Sequence, residues 1–409
     1  MRICYVAADV AVPHYRGSST HVYELAKNLV KMGHEMHVVA RRVSSSQPKD
    51  EVLDGVSIHR YQRGVFFSSS RSSFTDTEAR GSYRGSTSLV LWKSYETYLR
   101  TVFPAYIALE VVRLVREHSL DLIFERETSF GAGAMASMMT GRPLVLEVIG
   151  NRVTRLQLRN SAKIIAYTKG MFEGEDASKV ELVTGAVDTE TFRPDRVSGE
   201  EVRARYGIGG APVVGYVGTF QEWHGLDELI EAAGELLQTR KDARFLMVGP
   251  YYKETEAKVA AAGLSRSFIF TGPIAYEQVP KYMNAGDVLV APYNPDRIAS
   301  KEQVRKHGLG SPLKVFEYMA VGKPTITTDV KPISDPIEDG VTGYLIPPGD
   351  SHALGSAIAR VLGDPGAAAV VGAAGRKSIV ANYSWGLVAA QLDRIFREIP
   401  LHTGSRKKA

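Results

Sequence analysis

Cysteine is almost absent from this chain of 409 residues. The single cysteine is Cys4, which lies in an apolar stretch. Because a disulfide and a cysteine metal cluster each need at least two cysteines, both are excluded within this chain. A lone cysteine is consistent with a reducing compartment, and the sequence therefore predicts a cytoplasmic protein. The paired histidine and aspartate spacings that are typical of metal sites are also missing, so we expect neither a bound metal nor a cofactor.

Long apolar runs and strong charge are missing as well. No run of 18 apolar residues occurs, and MRICYVAAD at the start enters a strand pattern with no signal peptide ahead of it, so no membrane span is expected. The net charge is only +5 and no recognition motif accompanies it, which argues against a nucleic-acid partner. Basic residues gather in segment 60–100 and in the tail at 406–408. Either they are solvated, or they give peripheral contact with an anionic membrane on its inner face.

What the sequence does contain is an alternation of short strands and amphipathic helices, twice over. This alternation predicts an α/β fold, with two Rossmann-like doubly wound domains facing across a cleft. The predicted division is an N-terminal domain (1–192), a linker (193–212), a C-terminal domain (213–382), and a C-terminal helix with a basic tail (383–409). We expect the last segment to pack back on the N-terminal domain.

The first strand leads into a loop with Gly17 and Ser18 at the start of a helix. The loop is not a GxGxxG fingerprint, so a nicotinamide cofactor is not expected. A glycine at a helix start still lets the backbone approach an anionic ligand closely.

Polar side chains follow two later strands of the first domain. Glu125 and Arg126 end one strand, and Glu147 ends another. Ligands of open α/β sheets bind at the carboxyl ends of strands, so these residues are candidates for catalysis or substrate orientation. Arg126 paired simply with a neighbouring glutamate is the alternative.

A second loop of the same kind opens the second domain. It contains Gly218, Thr219, His224 and Gly225 between the first strand and the first helix of that domain. His224 is placed to donate to a phosphate oxygen, or else only to cap the helix.

The segment 310–329, GSPLKVFEYMAVGKPTITTD, predicts a loop, a helix and a buried strand. The strand is the β-branched run 325–328, and the helix has its apolar residues on one side, namely Val315, Phe316, Met319 and Ala320. Ser311 and Pro312 open the helix, and Lys314 lies in its first turn. A cation at a helix N-terminus is disfavoured by the macrodipole unless an anion lies in front of it. Glu317, one turn on, is placed to accept from vicinal hydroxyls such as those of a ribose. The alternative is an ordinary surface helix.

Five stretches together resemble the family-4 glycosyltransferases of the GT-B fold, over essentially the whole chain. They are IFERETSFGAGAMAS, LVLEVIGN, VTGAVDTETFRP, GTFQEWHGLDELIEA and SPLKVFEYMAVGKP, of which the last two are long and specific. The resemblance implies a retaining transfer of a sugar from a nucleoside-diphosphate sugar to a glycan, lipid-linked or small-molecule acceptor. It also implies that no protein nucleophile and no metal are needed.

By the same resemblance, the N-terminal domain is the acceptor-side domain and the C-terminal domain binds the nucleotide sugar. Glu317 matches the glutamate that holds the ribose, and Gly17 matches the loop that closes on the diphosphate. Ile274 falls in the segment that meets the base. The residues whose backbone meets the diphosphate correspond to Ser311, Pro312 and Leu313.

The sequence departs from the family at three positions. The first glutamate of the usual pair falls at Leu309, and the usual phosphate-binding Arg and Lys fall at Thr219 and His224. Lys314 is the candidate replacement for part of that charge. Two alternatives therefore stay open: a degenerate nucleotide-sugar-binding or scaffold protein, and a sugar-nucleotide epimerase or hydrolase on the same fold.

Overall fold

A computed structural model describes residues 1–13, 17–61, 101–149, 153–167, 172, 174–250, 252–298 and 313–401. The chain divides into two compact units. The first unit comprises Met1–Val183 and Val388–Ala409, and the second unit comprises Thr184–Leu387. The serine- and arginine-rich segment at 62–88 and the basic tail at 406–408 lie outside the described residues.

The first unit is built on an eight-stranded sheet. Its strands are β1 (Arg2–Ala11), β2 (Glu35–Arg41), β3 (Asp50–Leu53), β4 (Val56–Tyr61), β5 (Leu122–Arg126), β6 (Leu144–Val148), β7 (Ser161–Ala166) and β8 (Val180–Leu182). Their order is β3-β4-β2-β1-β5-β6-β7-β8, and all neighbours run parallel except β3 and β4. Its helices are α1 (Gly17–Lys31), α2 (Val102–Glu117), α3 (Ala132–Thr140), α4 (Arg155–Asn160) and α5 (Gly174–Ser178).

The second unit contains a six-stranded sheet that is parallel throughout. Its strands are β9 (Val213–Val217), β10 (Arg244–Val248), β11 (Phe268–Gly272), β12 (Val288–Ala291), β13 (Thr325–Thr328) and β14 (Tyr344–Ile346), in the order β11-β10-β9-β12-β13-β14. Its helices are α6 (Glu200–Arg205), α7 (Leu226–Thr239), α8 (Lys253–Ala261), α9 (Val279–Ala285), α10 (Leu313–Ala320), α11 (Ser351–Gly363) and α12 (Pro365–Asn382). The prediction of doubly wound α/β domains is confirmed.

The central strands are apolar along their length because helices cover both faces of a parallel sheet. In β1, Ile3 to Ala7 are wholly inaccessible to solvent, and the ring of Tyr5 stacks on Phe124 of β5 with centroids 4.4 Å apart. In the second unit, the buried residues on one face of β9, β10 and β12 join those of α7 and α11 in one cluster, and those on the other face join α9 and α10 in a second cluster. The loops that follow the strands are therefore carried on rigid supports.

The predicted linker at 193–212 belongs to the second unit in the structure, and the first unit ends at Val183 rather than at 192. Although the segment is polar, its short helix α6 has one face that packs against the second unit. Val202 of α6 is buried, and Arg203 donates to the Ala285 carbonyl at 3.0 Å and to Asp287 at 2.8 Å.

The last helix, α13 (Trp385–Arg397), begins in the second unit and ends in the first. Phe396 packs edge-on against Phe124 at 5.4 Å, and His34 lies 2.8 Å from Asp393. The sequence assigned 383–409 to this role, and the structure places the chain from Val388 onward in the first unit.

No single helix in the described part of the chain is long and apolar enough to cross a membrane. The consecutive helices α11 and α12 are long and apolar enough only when they are taken together, and the chain bends by 105° between them.

Two glycines in helices of the second unit offer a matched test of the packing. A Cβ on Gly372 of α12 would collide with the Gly322 carbonyl oxygen, whereas a Cβ on Gly234 of α7 would meet nothing within 4 Å. We expect Gly372→Ala to destabilise the unit by about 1–3 kcal/mol through overpacking. Gly234→Ala should stabilise it by about 0.5–1 kcal/mol, because alanine loses less backbone entropy in a helix. Thermal unfolding midpoints measure both, and equal shifts would contradict the described packing of α12.

Candidate functional site

The helix α10 carries a cluster of polar groups in the second unit. As the sequence predicts, Val315, Phe316, Met319 and Ala320 are buried. Tyr318 fixes the helix to the end of β9, since its hydroxyl accepts from the Val217 amide at 2.7 Å and donates to the Val217 carbonyl at 2.9 Å. The remaining face presents Lys314 and Glu317, one turn apart. Ser311 and Pro312 lie outside the described residues, as does Leu309.

Lys314 is partly buried among aromatic groups. Its Nζ donates to the Tyr216 hydroxyl at 3.0 Å and lies 4.5 Å and 5.0 Å from the ring centroids of Tyr216 and Tyr293. Burial lowers the pKa of the ammonium to about 7, although the charge on Glu317 opposes this shift. Aromatic faces attract a cation, but they do not neutralise it. An anionic ligand would restore the full charge.

Glu317 has the complementary environment. Its Oε1 accepts from the Tyr276 hydroxyl at 3.1 Å. Burial raises the pKa of the carboxyl to about 7, and the Tyr276 hydrogen bond and Lys314 oppose this shift. A carboxylate has about four lone-pair sites, so it can accept further bonds from the hydroxyls of a ligand.

His224 is held by the loop that follows β9. Its Nδ1 lies 2.6 Å from the Thr219 carbonyl oxygen, an acceptor, so Nδ1 carries the proton and donates. Burial, together with Lys314, lowers the pKa of the ring well below its ordinary value. The neutral ring therefore has an unprotonated Nε2, which accepts hydrogen bonds. This differs from the predicted donation to a phosphate oxygen, which requires His224 to take up a proton.

Two glycines of the same loop lie close to neighbouring groups. A Cβ on Gly218 would lie 2.6 Å from the Lys314 Cε, so a larger residue there would displace the end of that side chain. Gly225 has φ +69°, and a Cβ there would collide with the Pro292 carbonyl oxygen. Both glycines therefore shape the surroundings of α10.

The other predicted donor-site residues lie at separate places. Ile274 is partly buried after β11, and Leu313 begins α10 and is partly buried. Gly17 and Ser18 are the first two residues of α1 in the first unit, and both are exposed. The structure thus brings together Gly218, Thr219, His224, Lys314 and Glu317 within the second unit.

A buried ionic network occupies the carboxyl ends of the strands in the first unit. Glu147 Oε2 accepts from the Tyr5 hydroxyl at 2.6 Å and from Arg126 Nη1 at 3.3 Å, and its Oε1 lies 2.6 Å from His21 Nε2. Burial alone would raise the pKa of Glu147, but His21, Arg126 and Tyr5 together lower it to about 2. Both carboxylate oxygens are engaged, so Glu147 positions its neighbours. Arg126 Nε has no hydrogen-bond partner among the described residues.

Glu125 plays a different part from the one predicted. Its two carboxylate oxygens accept from the backbone amides of Gly131 and Ala134, each at 2.9 Å, at the start of α3. Burial raises its pKa to about 7, against the pull of these amides. A Cβ on Gly133 would lie 2.8 Å from the Glu125 Cβ, so the helix fits closely on this side chain. Glu125 thus holds the start of α3, and a catalytic role for it stays a prediction.

The sequence missed four residues that complete these clusters, namely Tyr5, His21, Tyr216 and Tyr276. Tyr5 and Tyr216 lie within apolar strands, where a buried tyrosine hydroxyl needs a polar partner. His21 lies on the buried face of α1 beside Val22 and Leu25. For these three residues, the signal in the sequence was a polar group at a position where the pattern predicts the apolar core. No signal pointed to Tyr276.

Three histidines of the first unit come close enough together to hold a metal ion. His37, His59 and His118 each offer a ring nitrogen, and these atoms lie within 4.8 Å of one another.

Comparison with known proteins gives the family. Residues 15–148 match the model described as Glycosyltransferase Family 4, and residues 211–364 match the model described as Glycosyl transferases group 1. Together the two matches span well over half of the chain. The chain belongs to the family-4 glycosyltransferases, and the predicted family and class of enzyme are confirmed.

Individual relatives are about 30% identical to this chain over part of its length. Alpha-D-kanosaminyltransferase of Streptomyces kanamyceticus is 31% identical over 216 residues, or 52% of this chain and 51% of that protein. The chain thus spans about half the length of that relative. GDP-mannose-dependent alpha-(1-6)-phosphatidylinositol monomannoside mannosyltransferase of Mycolicibacterium smegmatis is 29% identical over 70% of this chain and 78% of its own.

Solved structures agree on the fold. Sucrose-phosphate synthase of Thermosynechococcus elongatus superposes with a TM-score of 0.73 at 20% identity, covering 97% of this chain and 98% of its own. Anabaena HepE in complex with UDP-glucose gives a TM-score of 0.71 at 16% identity, covering 98% and 100%. The predicted GT-B fold is confirmed.

The Glu147 network should stabilise the first unit in a pH-dependent way. Its folded-state pKa lies below the ordinary value of 4.5, so its contribution is complete above pH 4.5 and is lost as the pH falls towards 2. We expect Glu147→Gln to cost about 3–5 kcal/mol at pH 7, because it leaves buried Arg126 without its anion.

Tyr5→Phe is the control for this prediction, since it removes one hydrogen bond and should cost roughly 1.5 kcal/mol. Denaturant unfolding at pH 7 and at pH 3.5 gives the difference in unfolding free energy between the native protein and Glu147→Gln. We expect a smaller difference at pH 3.5, and an equal difference at both pH values would contradict the charge assigned to Glu147.

Proposed function

We propose that the protein transfers a sugar from a nucleoside-diphosphate sugar to a hydroxyl of a glycan, lipid-linked or small-molecule acceptor, with retention of configuration at the anomeric carbon. The observation that carries this proposal is the pair on α10. Lys314 and Glu317 present an ammonium and a carboxylate on one helix face, each with a pKa moved to about 7 by burial.

The pair suits the two polar parts of a nucleotide. One turn of helix separates the two residues, a rise of roughly 4.5 Å along the axis. An ammonium in the first turn of a helix is disfavoured both by burial and by the macrodipole, and a diphosphate would relieve both penalties. The Glu317 carboxylate is then placed to accept from the two vicinal hydroxyls of the ribose.

Catalysis in this proposal rests on stabilising the departing diphosphate. Negative charge grows on the leaving group as the sugar takes on oxocarbenium character, and Lys314 is aimed in advance at that charge. A leaving-phosphate oxygen takes the acceptor proton on the same face, so neither a protein nucleophile nor a metal is required. Arg126 is the candidate in the first unit for orienting the sugar or the acceptor, and Glu147 positions it through their ion pair.

The donor is proposed from two kinds of relative. HepE has been crystallised with UDP and with UDP-glucose, and the mycobacterial relatives are named as GDP-mannose-dependent. UDP- and GDP-sugars are therefore the first donors to test. We place the reaction in the cytoplasm, in line with the single buried Cys4. Peripheral membrane contact stays a prediction based mainly on basic residues outside the described part.

The donor site can be tested by binding. At a hundredfold excess over its Kd, a donor that binds only the folded state should add about 2.7 kcal/mol of stability. We expect one nucleotide of a UDP, GDP and ADP series to shift the unfolding midpoint of the native protein. Lys314→Met and Glu317→Gln should each weaken the affinity for that nucleotide about tenfold or more, because each removes one hydrogen bond to a charged group.

Lys253→Met and Glu254→Gln on α8 are the matched controls, since both side chains are exposed. They should leave the affinity unchanged. If both α10 variants bound every nucleotide as tightly as the native protein, the site would be wrong. Turnover separates the remaining alternatives: donor consumption without acceptor favours the epimerase or hydrolase, and binding without turnover favours the degenerate protein.

The pH dependence of donor affinity should report the charge on Lys314. With a pKa of about 7, the ammonium is present below pH 7 and lost as the pH rises above it. We therefore expect the affinity for UDP or GDP to fall between pH 7 and pH 9. Glu317 ionises over the same range and acts in the opposite direction, since only its carboxylate accepts from both ribose hydroxyls.

Comparison with Lys314→Arg isolates the lysine, because a guanidinium keeps its charge throughout this range. Isothermal titration at several pH values should give a steeper loss for the native protein than for Lys314→Arg. Parallel profiles would show that the Lys314 charge does not govern binding.

A further inference from the structure

The three histidines of the first unit come from distant parts of the chain. His37 lies in β2, His59 lies in β4, and His118 is the residue that follows α2. Only 3% of His37 and 8% of His59 is exposed. The rings of His37 and His59 are parallel with centroids 5.3 Å apart, and the His118 ring lies 4.3 Å from that of His37. None of these residues takes part in the proposed sugar transfer.

The outer nitrogens of the two buried rings are each held by a carboxylate. His37 Nε2 lies 3.0 Å from Glu35 Oε1, and His59 Nδ1 lies 2.7 Å from Asp50 Oδ1. A carboxylate is an acceptor, so the proton of each neutral ring lies on this outer nitrogen.

The inner nitrogens then have no proton to share. His37 Nδ1 and His59 Nε2 are 3.0 Å apart, and with both outer nitrogens protonated each directs a lone pair at the other. Two lone pairs at this distance repel each other unless a positive centre lies between them. A proton shared by the two rings is one such centre, and a divalent metal ion is another.

We propose that His37, His59 and His118 bind a divalent transition-metal ion, for which Zn²⁺ is the natural probe, through His37 Nδ1, His59 Nε2 and a ring nitrogen of His118. Imidazole is a ligand that zinc favours, with Zn–N distances of about 2.0–2.1 Å, so neighbouring tetrahedral ligands stand about 3.4 Å apart. The inner nitrogens need to separate by only a few tenths of an ångström. His118 is partly exposed, so its ring can turn inward.

The surrounding charges support a bound cation. Glu35 and Asp50 supply two carboxylates in the outer shell, in the carboxylate–histidine–metal arrangement that orients ligands in known sites. His118 follows the C-terminal end of α2, where the helix dipole is negative. The nearby cation Arg113 is already paired with Glu110 and Glu117 at 2.9 Å and 2.5 Å. The ion would join β2, β4 and the end of α2, a stabilising role independent of donor binding.

The test uses the full chain without a histidine tag, stripped with a chelator and titrated with Zn²⁺ or Co²⁺. We expect one equivalent of metal to bind, a rise in the unfolding midpoint, and visible absorption typical of tetrahedral Co²⁺. His118→Ala should abolish binding at the stoichiometric level, and Glu35→Gln and Asp50→Asn should weaken it about 10–100-fold. His352→Ala is the control, since 80% of that side chain is exposed and it lies in the second unit.

The native protein would overturn the proposal if it bound well below one equivalent. So would equal binding by the native protein and His118→Ala, because the metal would then lie elsewhere. Circular dichroism of each variant shows whether it is folded, and His118→Ala changes only a partly exposed side chain.

Discussion

The candidate site of the second unit depends on holding the Lys314 ammonium against two tyrosine rings at the end of a parallel sheet. Gly218 leaves space for the side chain, the Tyr216 hydroxyl accepts from it, and Tyr318 ties its helix to β9. These contacts place a cation in surroundings that bring its pKa down to about 7. A cation with so few neutralising partners fits a protein that receives an anion, and the family match agrees with that interpretation.

The first unit also contains a buried charge, but there the charge is fully compensated. There the buried carboxylate of Glu147 is fully compensated by Tyr5, Arg126 and His21, and its pKa falls to about 2. Compensated charge gives a rigid support, whereas the charge of Lys314 is only partly compensated and favours a ligand. The contrast explains why we assign Glu147 a positioning role and Lys314 a binding role.

Local signals in the sequence predicted most of the fold. Apolar residues spaced as on one helix face identified α10, and β-branched residues identified β13, because both patterns depend on near neighbours in the chain. The segment predicted as a linker lies within the second unit, and the sequence does not indicate this, since the anchoring contacts of α6 reach residues about 80 positions away. Glu125 was placed correctly at a strand end, but its bonds to the start of α3 depend on how the following turn folds.

The sequence by itself determined the two α/β units, the family, and the two groups on α10, because periodicity and contiguous motifs are local properties. Only the tertiary structure decided which polar groups meet. The registers of parallel strands and the docking of helices bring Tyr216 to Lys314, Tyr5 to Glu147, and His37 to His59 and His118. Such neighbours are separated by about 20 to 140 positions in the chain, and no local pattern records contacts over that distance.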